Sequence, residues 1–396
     1  MDCDKEKYQL WLRRRAQRDG ATTRNGQGEK LRDKSINIIR RLTVLFFSIV
    51  YKKYRNAPLP TLETTKRILI IPNFPIGDLL LTSTVWQTLK KKNPQLVIGV
   101  VVSNENKAFA LKDDSINERY NLFSGTIISR WKELLRARRD GWDVVLAYAG
   151  FYKPTRFAVV SRLIARNGFT ATLHSSRYWR YARIYSYCTK RPADPFPQPK
   201  VEQMQSLAER VFNFTFTADE RMPQLTERQV TAPDTDLRID NILTQTKTNK
   251  IIVINLEAKN PRREWGIDNS TELALRIVEQ SPDVIILLTA SPCYWQEYGN
   301  RLQQFTSDRV QVFPTFSIED LCALIRRAAL VISPDTAVVH IAAALGRRIV
   351  AFYPSTDEWI PYSSEATVMY AGPLMAISTI SVDKVFNTVS TDLSSN

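Results

Sequence analysis

A chain of 396 residues, 44% hydrophobic and 24% charged, has an ordinary globular composition and is long enough for two domains. With 55 Lys+Arg against 40 Asp+Glu it carries a formal charge of +15. With two histidines, His174 and His340, multi-histidine metal sites are excluded, and four widely spaced cysteines (Cys3, Cys188, Cys293, Cys322) with no Cys-x-x-Cys pair argue against a structural zinc site and a disulfide framework.

Read from the N-terminus, the chain opens on a basic segment: residues 1–67 hold 17 Lys+Arg against 7 Asp+Glu. Residues 1–34 are polar, with Arg13-Arg14-Arg15 and a Gly-rich break at Asn25 to Gly28. Ile36 to Tyr51 is then apolar around Arg40-Arg41 and is followed by Lys52-Lys53. Its uninterrupted part, Leu42 to Tyr51, is half the roughly 20 residues that a membrane span requires. It starts too late, and lacks the cleavage site, for a signal peptide. Two readings stay open: a helix lying in a membrane surface with basic residues at both ends, or a helix packed on the domain behind it.

After Pro58 and Pro60 the pattern changes. Arg67 to Pro72 is a continuous apolar run, as expected of a strand buried on both faces. A turn at Asn73 to Gly77, a helix from Asp78 to Lys92 and a strand at Leu96 to Val102 complete a βαβ unit. A helix at Ser129 to Arg139 and a strand at Asp143 to Tyr148 follow. Residues 130–191 are the second basic region, 14 Lys+Arg against 3 Asp+Glu. Its run Arg177-Tyr178-Trp179-Arg180-Tyr181 interleaves cations with aromatics, which suits nucleic acid, a phosphorylated sugar or a lipid headgroup; a solvated helix face fits equally. Pro192 to Pro199 breaks regular structure, Glu202 to Phe212 reads as a helix, and Thr226 to Asn249 holds a linker helix.

The alternation then restarts with strands at Lys250 to Asn255, Val284 to Thr289, Leu330 to Ser333 and, last, Ile349 to Tyr353. Helices are expected at Ser270 to Gln280, Ile318 to Arg327 and Thr336 to Leu345. Two such alternations predict two doubly wound α/β domains with a cleft between them. At Ser333-Pro334-Asp335-Thr336-Ala337-Val338-Val339-His340 a strand turns into a helix, with Asp335 or Thr336 as N-cap and Gly346 at the far end. The N–H groups of Thr336, Ala337 and Val338 would then face the C-terminal edge of a parallel sheet, where phosphates bind; a purely structural turn is the plainer reading.

Asp335-Thr336 with His340 four residues on, then Ala342-Ala343-Ala344-Leu345-Gly346 and Ser355-Thr356-Asp357, resemble the Asp-Thr-Gly-x-x-His and Gly-Pro-Thr-Asp signatures of the ADP-heptose:lipopolysaccharide heptosyltransferases. Gly77-Asp78-Leu79-Leu80-Leu81-Thr82 resembles the Gly-Asp-x-x-x-Thr loop of that family, so the likeness covers about residues 66–390. Ala337 replaces the family glycine, and Pro354 opens what is elsewhere Gly-Pro-Thr-Asp. The loop before Gly77 is Pro72-Asn73-Phe74-Pro75-Ile76 instead of basic and serine-rich.

The resemblance implies a GT-B fold: two Rossmann-like domains facing across a cleft, here with a basic helical N-terminal extension. The expected division is an extension at 1–65, an acceptor-binding domain at 66–225 and a linker at 226–249, then a nucleotide-sugar domain at 250–375 and a C-terminal helix and tail at 376–396. It also implies metal-independent, inverting transfer of heptose from ADP-heptose to a lipopolysaccharide core acceptor, without a cofactor. Asp78 occupies the position of the base, and Arg263, beside Arg262 and before Trp265, that of a lysine which meets the leaving diphosphate. Donor contacts are expected from Asp335, Thr336, Ala337, Val338, His340 and Arg262, with Phe316 toward adenine and Glu297 toward ribose. The acceptor side is expected at Asn73, Thr82, Arg177 and Arg180. The expected partners are an ADP-sugar, an anionic lipid-linked saccharide and the cytoplasmic face of the inner membrane, with no nucleic acid. Another nucleotide sugar, or a capsule, O-chain or protein acceptor, is the alternative within the class. A non-catalytic membrane-surface or nucleic-acid-binding protein is the alternative outside it.

Overall fold

The computed structural model describes residues 26–55, 57–148, 154–173, 181–189, 199–258, 260–290, 295–302, 307–354, 359–372 and 375–394. A long helix, α1 (Gly26–Val50), precedes the first sheet and runs through the expected glycine break. That sheet holds β1 (Arg67–Ile71), β2 (Val97–Val101), β3 (Glu118–Tyr120), β4 (Val144–Ala147), β5 (Phe169–Thr172) and β6 (Tyr187–Cys188). Between them lie α2 (Ile76–Lys92), α3 (Ile127–Asp140) and α4 (Pro154–Ile164), and α5 (Lys200–Phe212) follows. A helix α6 (Pro233–Thr246) leads into the second half, with β7 (Lys250–Asn255), α7 (Ile267–Gln280), β8 (Val284–Thr289), α8 (Trp295–Leu302), β9 (Val310–Val312) and α9 (Ile318–Arg327). It ends with β10 (Leu330–Pro334), α10 (Ala337–Ala344), β11 (Arg348–Tyr353), β12 (Ala366–Tyr370) and α11 (Val382–Ser394).

Both sheets are parallel, in the orders β3-β2-β1-β4-β5-β6 and β12-β11-β10-β7-β8-β9. Read from β9, the second order repeats the first, and it is the doubly wound order whose direction reverses at β1/β4 and at β7/β10. Ile349 to Tyr353 is therefore not the last strand. β12 adds an edge that its half-exposed, alternating sequence conceals. β1 is buried on both faces, as its unbroken apolar run requires: Ile68 and Ile70 enter one cluster, Leu69 and Ile71 another.

The first of those clusters joins the two lobes. It takes Leu79, Leu80 and Val85 of α2 and Met204 and Leu207 of α5 from one side. From the other it takes Leu324 and Ile325 of α9 and Val338 and Val339 of α10. The middle helices of the two lobes thus pack into one apolar layer, with Lys112 Nζ 3.1 Å from the buried Glu319 carboxylate at its margin. α6 is held on the second lobe by Thr235 Oγ1, which donates to Asp320 (2.8 Å), and by the Arg326–Asp236 ion pair at 2.8 Å.

The tightest point of this seam is Gly77, where a Cβ would stand 2.7 Å from Cδ2 of His340 and 3.5 Å from Cα of Ala337. Here glycine is required by close approach of a neighbouring helix. Gly77→Val should wedge the lobes apart, read as a larger radius of gyration by small-angle X-ray scattering while circular dichroism stays native. An unchanged radius would mean that the imidazole gives way instead.

Candidate active site

Each lobe delivers a polar group from the C-terminal end of its sheet at the reversal point. In the first lobe, β1 ends at Ile71 and the chain turns through Asn73 into α2, whose first turn carries Asp78. A carboxylate in a first turn is favoured by the helix dipole, yet burial dominates here. Asp78 is enclosed by protein on most sides, and desolvation pushes its carboxyl up to about 7. The nearby Asp335 carboxylate raises it further, while a hydrogen bond with the Asn73 side chain and the charges of Lys200 and Arg263 oppose the rise. Asp335 and Arg263 belong to the other lobe. The carboxylate of one half therefore lies within electrostatic reach of a cation and an anion of the other.

In the second lobe Thr336 is the N-cap of α10. Its φ of −143° is extended, and its Oγ1 accepts from the Val338 N–H at 3.3 Å. That narrows the expected trio of donors, because the Val338 N–H is taken by the cap; the N–H groups of Thr336 and Ala337 have no partner among the described residues. Asn255 at the end of β7 fixes this turn, its Nδ2 donating to Ser333 Oγ and Thr336 Oγ1, each at 3.1 Å. At the other end, Gly346 (φ 62°) closes the helix: its N–H bonds Ala343 O and that of Arg347 bonds Ala342 O, the Schellman pattern. Asp335 is buried and ion-paired with Arg263 at 2.6 Å, and Arg263 stands on the turn Pro261–Arg263 after β7. Arg262, its neighbour, is exposed.

Other expected residues fall differently. His340 is buried with Nδ1 unpartnered among the described residues, and burial alone lowers its pKa to about 4. It is a neutral ring in the lobe seam near neutral pH and brings no positive charge to a diphosphate. Thr82 is fully buried and donates to the Asp78 carbonyl at 2.7 Å, beneath Met204. It braces α2 from within and is out of contact with the cleft, a correction to its expected acceptor role. Asn73 is likewise buried and engaged with Asp78. Trp265 packs against Phe352 and donates to Ile380 O at 2.8 Å, as core residues do.

Phe316 is 70% exposed, with its ring edge-on to Trp295 at 4.7 Å and the Arg238 guanidinium 5.6 Å from its centre. Glu297 lies on α8, but its side chain, like Arg177, Arg180 and Ser355 to Asp357, is outside the described residues. Three residues join the site without having been singled out in the sequence. Asn255 had a legible signal, a polar side chain ending an apolar strand. Lys200 and Arg238 had none, since only the fold brings α5 and α6 to the cleft.

Two doubly wound lobes with their reversal points turned to one another define a GT-B glycosyltransferase architecture. The chain belongs to glycosyltransferase family 9 (heptosyltransferase), which it matches over residues 129–385. That match begins after the Asp78 loop. The chain is 23% identical over 321 residues to lipopolysaccharide heptosyltransferase 1 of Campylobacter coli, covering 74% of this chain and 85% of that one. Among solved structures, the family 9 glycosyl transferase of Veillonella parvula superposes with a TM-score of 0.67 at 16% identity, over 85% of this chain and 99% of that one. E. coli heptosyltransferase WaaC with ADP gives 0.63 at 19% identity, over 82% and 99%. At such identities the solved structures share the fold.

The raised Asp78 pKa has a thermodynamic consequence. Since the folded value lies above the ordinary 3.8, the folded state holds a proton that the unfolded chain releases. The group's contribution to stability is full below pH 3.8 and is lost as pH rises through about 7. Asp78→Asn should match the wild type in urea unfolding only below pH 3.8 and gain on it steadily as pH rises from there toward about 7. At pH 8.5 it should exceed it by on the order of 2 kcal/mol, allowing for partial solvent screening. A difference independent of pH would contradict the assignment.

Proposed function

We propose that this protein is an inverting heptosyltransferase that moves heptose from ADP-heptose to an anionic, lipid-linked saccharide of the lipopolysaccharide core. One observation carries the reading: Asp78 of one lobe lies within electrostatic reach of the Arg263–Asp335 pair of the other, beside two N–H groups at a helix start that have no partner among the described residues. The Campylobacter coli relative named above supports the acceptor class, and the E. coli structure with ADP supports the nucleotide. Residues 66–225 then form the acceptor half and residues 250–375 the donor half. Residues 226–249 link them, with the extension at 1–65 and a C-terminal helix and tail at 376–396.

In this scheme the ionised Asp78 takes the proton of the acceptor hydroxyl. The oxygen attacks the anomeric carbon, and the bond from that carbon to the β-phosphate oxygen breaks on the opposite face. A carboxyl titrating near 7 suits a base at neutral pH, since it is ionised in a useful fraction yet keeps proton affinity. Arg263 and the N–H groups of Thr336 and Ala337 take up the charge that grows on the departing ADP. Asp335 holds Arg263 in place. Phe316 with Trp295 offers the adenine a platform, and Glu297 is the candidate for the ribose. Arg262, Arg177 and Arg180 add positive charge for the donor and the phosphorylated acceptor. A lipid-linked acceptor brings the enzyme to the inner face of the inner membrane, and the basic N-terminal half supports peripheral attachment there.

Asp78→Asn should lower kcat by about 10²–10⁴-fold, and wild-type kcat/KM should rise with pH through about 7. Arg263→Ala should cost about 2.7–4 kcal/mol in transition-state stabilisation, with Arg263→Lys restoring part. Full turnover in Asp78→Asn would remove Asp78 from its role. Ala337 and the Phe74-Pro75 loop favour, as the second reading, another sugar nucleotide or acceptor. A thermal-shift series of nucleotide sugars separates the two, because only a true donor raises the midpoint.

A further inference from the structure

Two helices of the N-terminal lobe turn apolar stripes away from their own domain. On α1, Val44 and Phe47 pack against the lobe, whereas Ile38, Leu42, Leu45, Phe46 and Ile49 are 55–64% exposed. At roughly 100° per residue these five fall within an arc of about 100° centred opposite Val44 and Phe47. α3 carries a second such stripe, an arc of about 100° that adjoins its inward edge. Ala137 is buried and Leu134 packs inward, while Ile127, Ile128, Trp131 and Leu135 are 56–70% exposed. A surface helix ordinarily buries such a stripe.

The two helices lie over the same part of the first lobe. α1 and α3 both pack on α4, and Val44, Phe47 and Leu134 reach the same cluster beneath it. α1 is clamped there by Tyr54, whose hydroxyl donates to Asn167 at 2.8 Å, and by the buried Arg162 over the rings of Tyr51 and Tyr54. The rims are positive. Arg41 beside the stripe and Lys52 and Lys53 beyond its end are exposed, along a stretch, residues 36–62, that contains no acidic residue. On α3, exposed Lys132 and Arg139 flank the stripe and exposed Arg138 ends it, while Glu133 and Asp140 are engaged by Arg136 and Tyr120.

We infer that α1 and α3 together form a two-helix docking surface for an anionic phospholipid bilayer. The choice of occupant rests on the lipid-linked acceptor proposed above and on charge complementarity. A second copy docked by two-fold symmetry would bring the cationic rims together, whereas anionic headgroups neutralise them and the acyl boundary takes the apolar stripes. Among the described residues no helix is long and apolar enough to cross a membrane, so the surface rests on the bilayer. It also abuts the acceptor side of the site. Phe123 before α3, Phe157 of α4 and Phe74 beside Asn73 form one aromatic cluster, with ring centres 4.6–5.8 Å apart.

Co-sedimentation of the full chain with phosphatidylcholine vesicles, with and without phosphatidylglycerol, tests this. The wild type should bind the anionic vesicles, and added salt should weaken binding. Trp131→Glu with Leu135→Glu on α3 should weaken it at least ~10-fold, as should Leu45→Glu with Phe46→Glu on α1. Both variants should keep wild-type turnover on detergent-dispersed acceptor. An α3 variant that sediments like the wild type overturns the two-helix surface, even if the α1 variant fails to bind. A wild type that ignores anionic vesicles but turns over in detergent overturns the docking and leaves the transferase reading standing. A wild-type dimer that the α3 variant dissociates assigns the face to self-association and overturns the inference.

Discussion

The burial of one carboxylate between two lobes is the constraint on which the rest of the site depends. Asp78 is partly shielded from water because α2 packs into an apolar layer shared with α9 and α10. What it meets there is mixed: Asn73, Lys200 and Arg263 favour its ionised form, while burial and Asp335 oppose it. Desolvation is the largest of these contributions, so the carboxyl sits near neutrality and not near 4. Separating the lobes would return water to Asp78 and remove Arg263 and Asp335 from its surroundings. Closure and acid–base character are thus coupled.

The same turn of chain supplies both the seam and the chemistry. Gly77 admits the His340 ring at a spacing that no side chain would permit, and the next residue is Asp78. Across the seam His340 stands on α10, whose first turn is capped by Thr336 and preceded by Asp335. A neutral imidazole is what this position requires, because a charged ring would be buried without a partner. Asn255 and Ser333, at the ends of β7 and β10, lock the Thr336 hydroxyl from below. The second lobe therefore presents its helix start from a rigid sheet edge, and two adjacent residues of the first lobe face it.

The sequence made the central parts of this arrangement legible and left the margins obscure. β1, β7, β8 and β10 are unbroken apolar runs because helices cover both of their faces, and they stand within a residue or two of where their pattern puts them. β3, β6 and β9 are edge or near-edge strands of two or three residues, too short for any period, and β5 is written in threonines. One face of α1 packs on the domain, as the second reading expects, and its opposite face carries exposed apolar residues. Among site residues, those sharing a turn with a glycine or a cap were readable. Lys200 was not, because it follows a proline-rich stretch and reaches Asp78 only through the packing of α5 on α2. Thr82 misled for a related reason: a hydroxyl one turn after a functional aspartate points inward and bonds the helix backbone.

The most direct measurement is a carbon-13 titration of the Asp78 carboxyl in the ligand-free protein, assigned by difference against Asp78→Asn. A midpoint near 7 is expected, set by enclosure between the closed lobes. A midpoint close to the ordinary 3.8 would mean that the carboxylate lies open to water, and it would contradict the buried, lobe-spanning site.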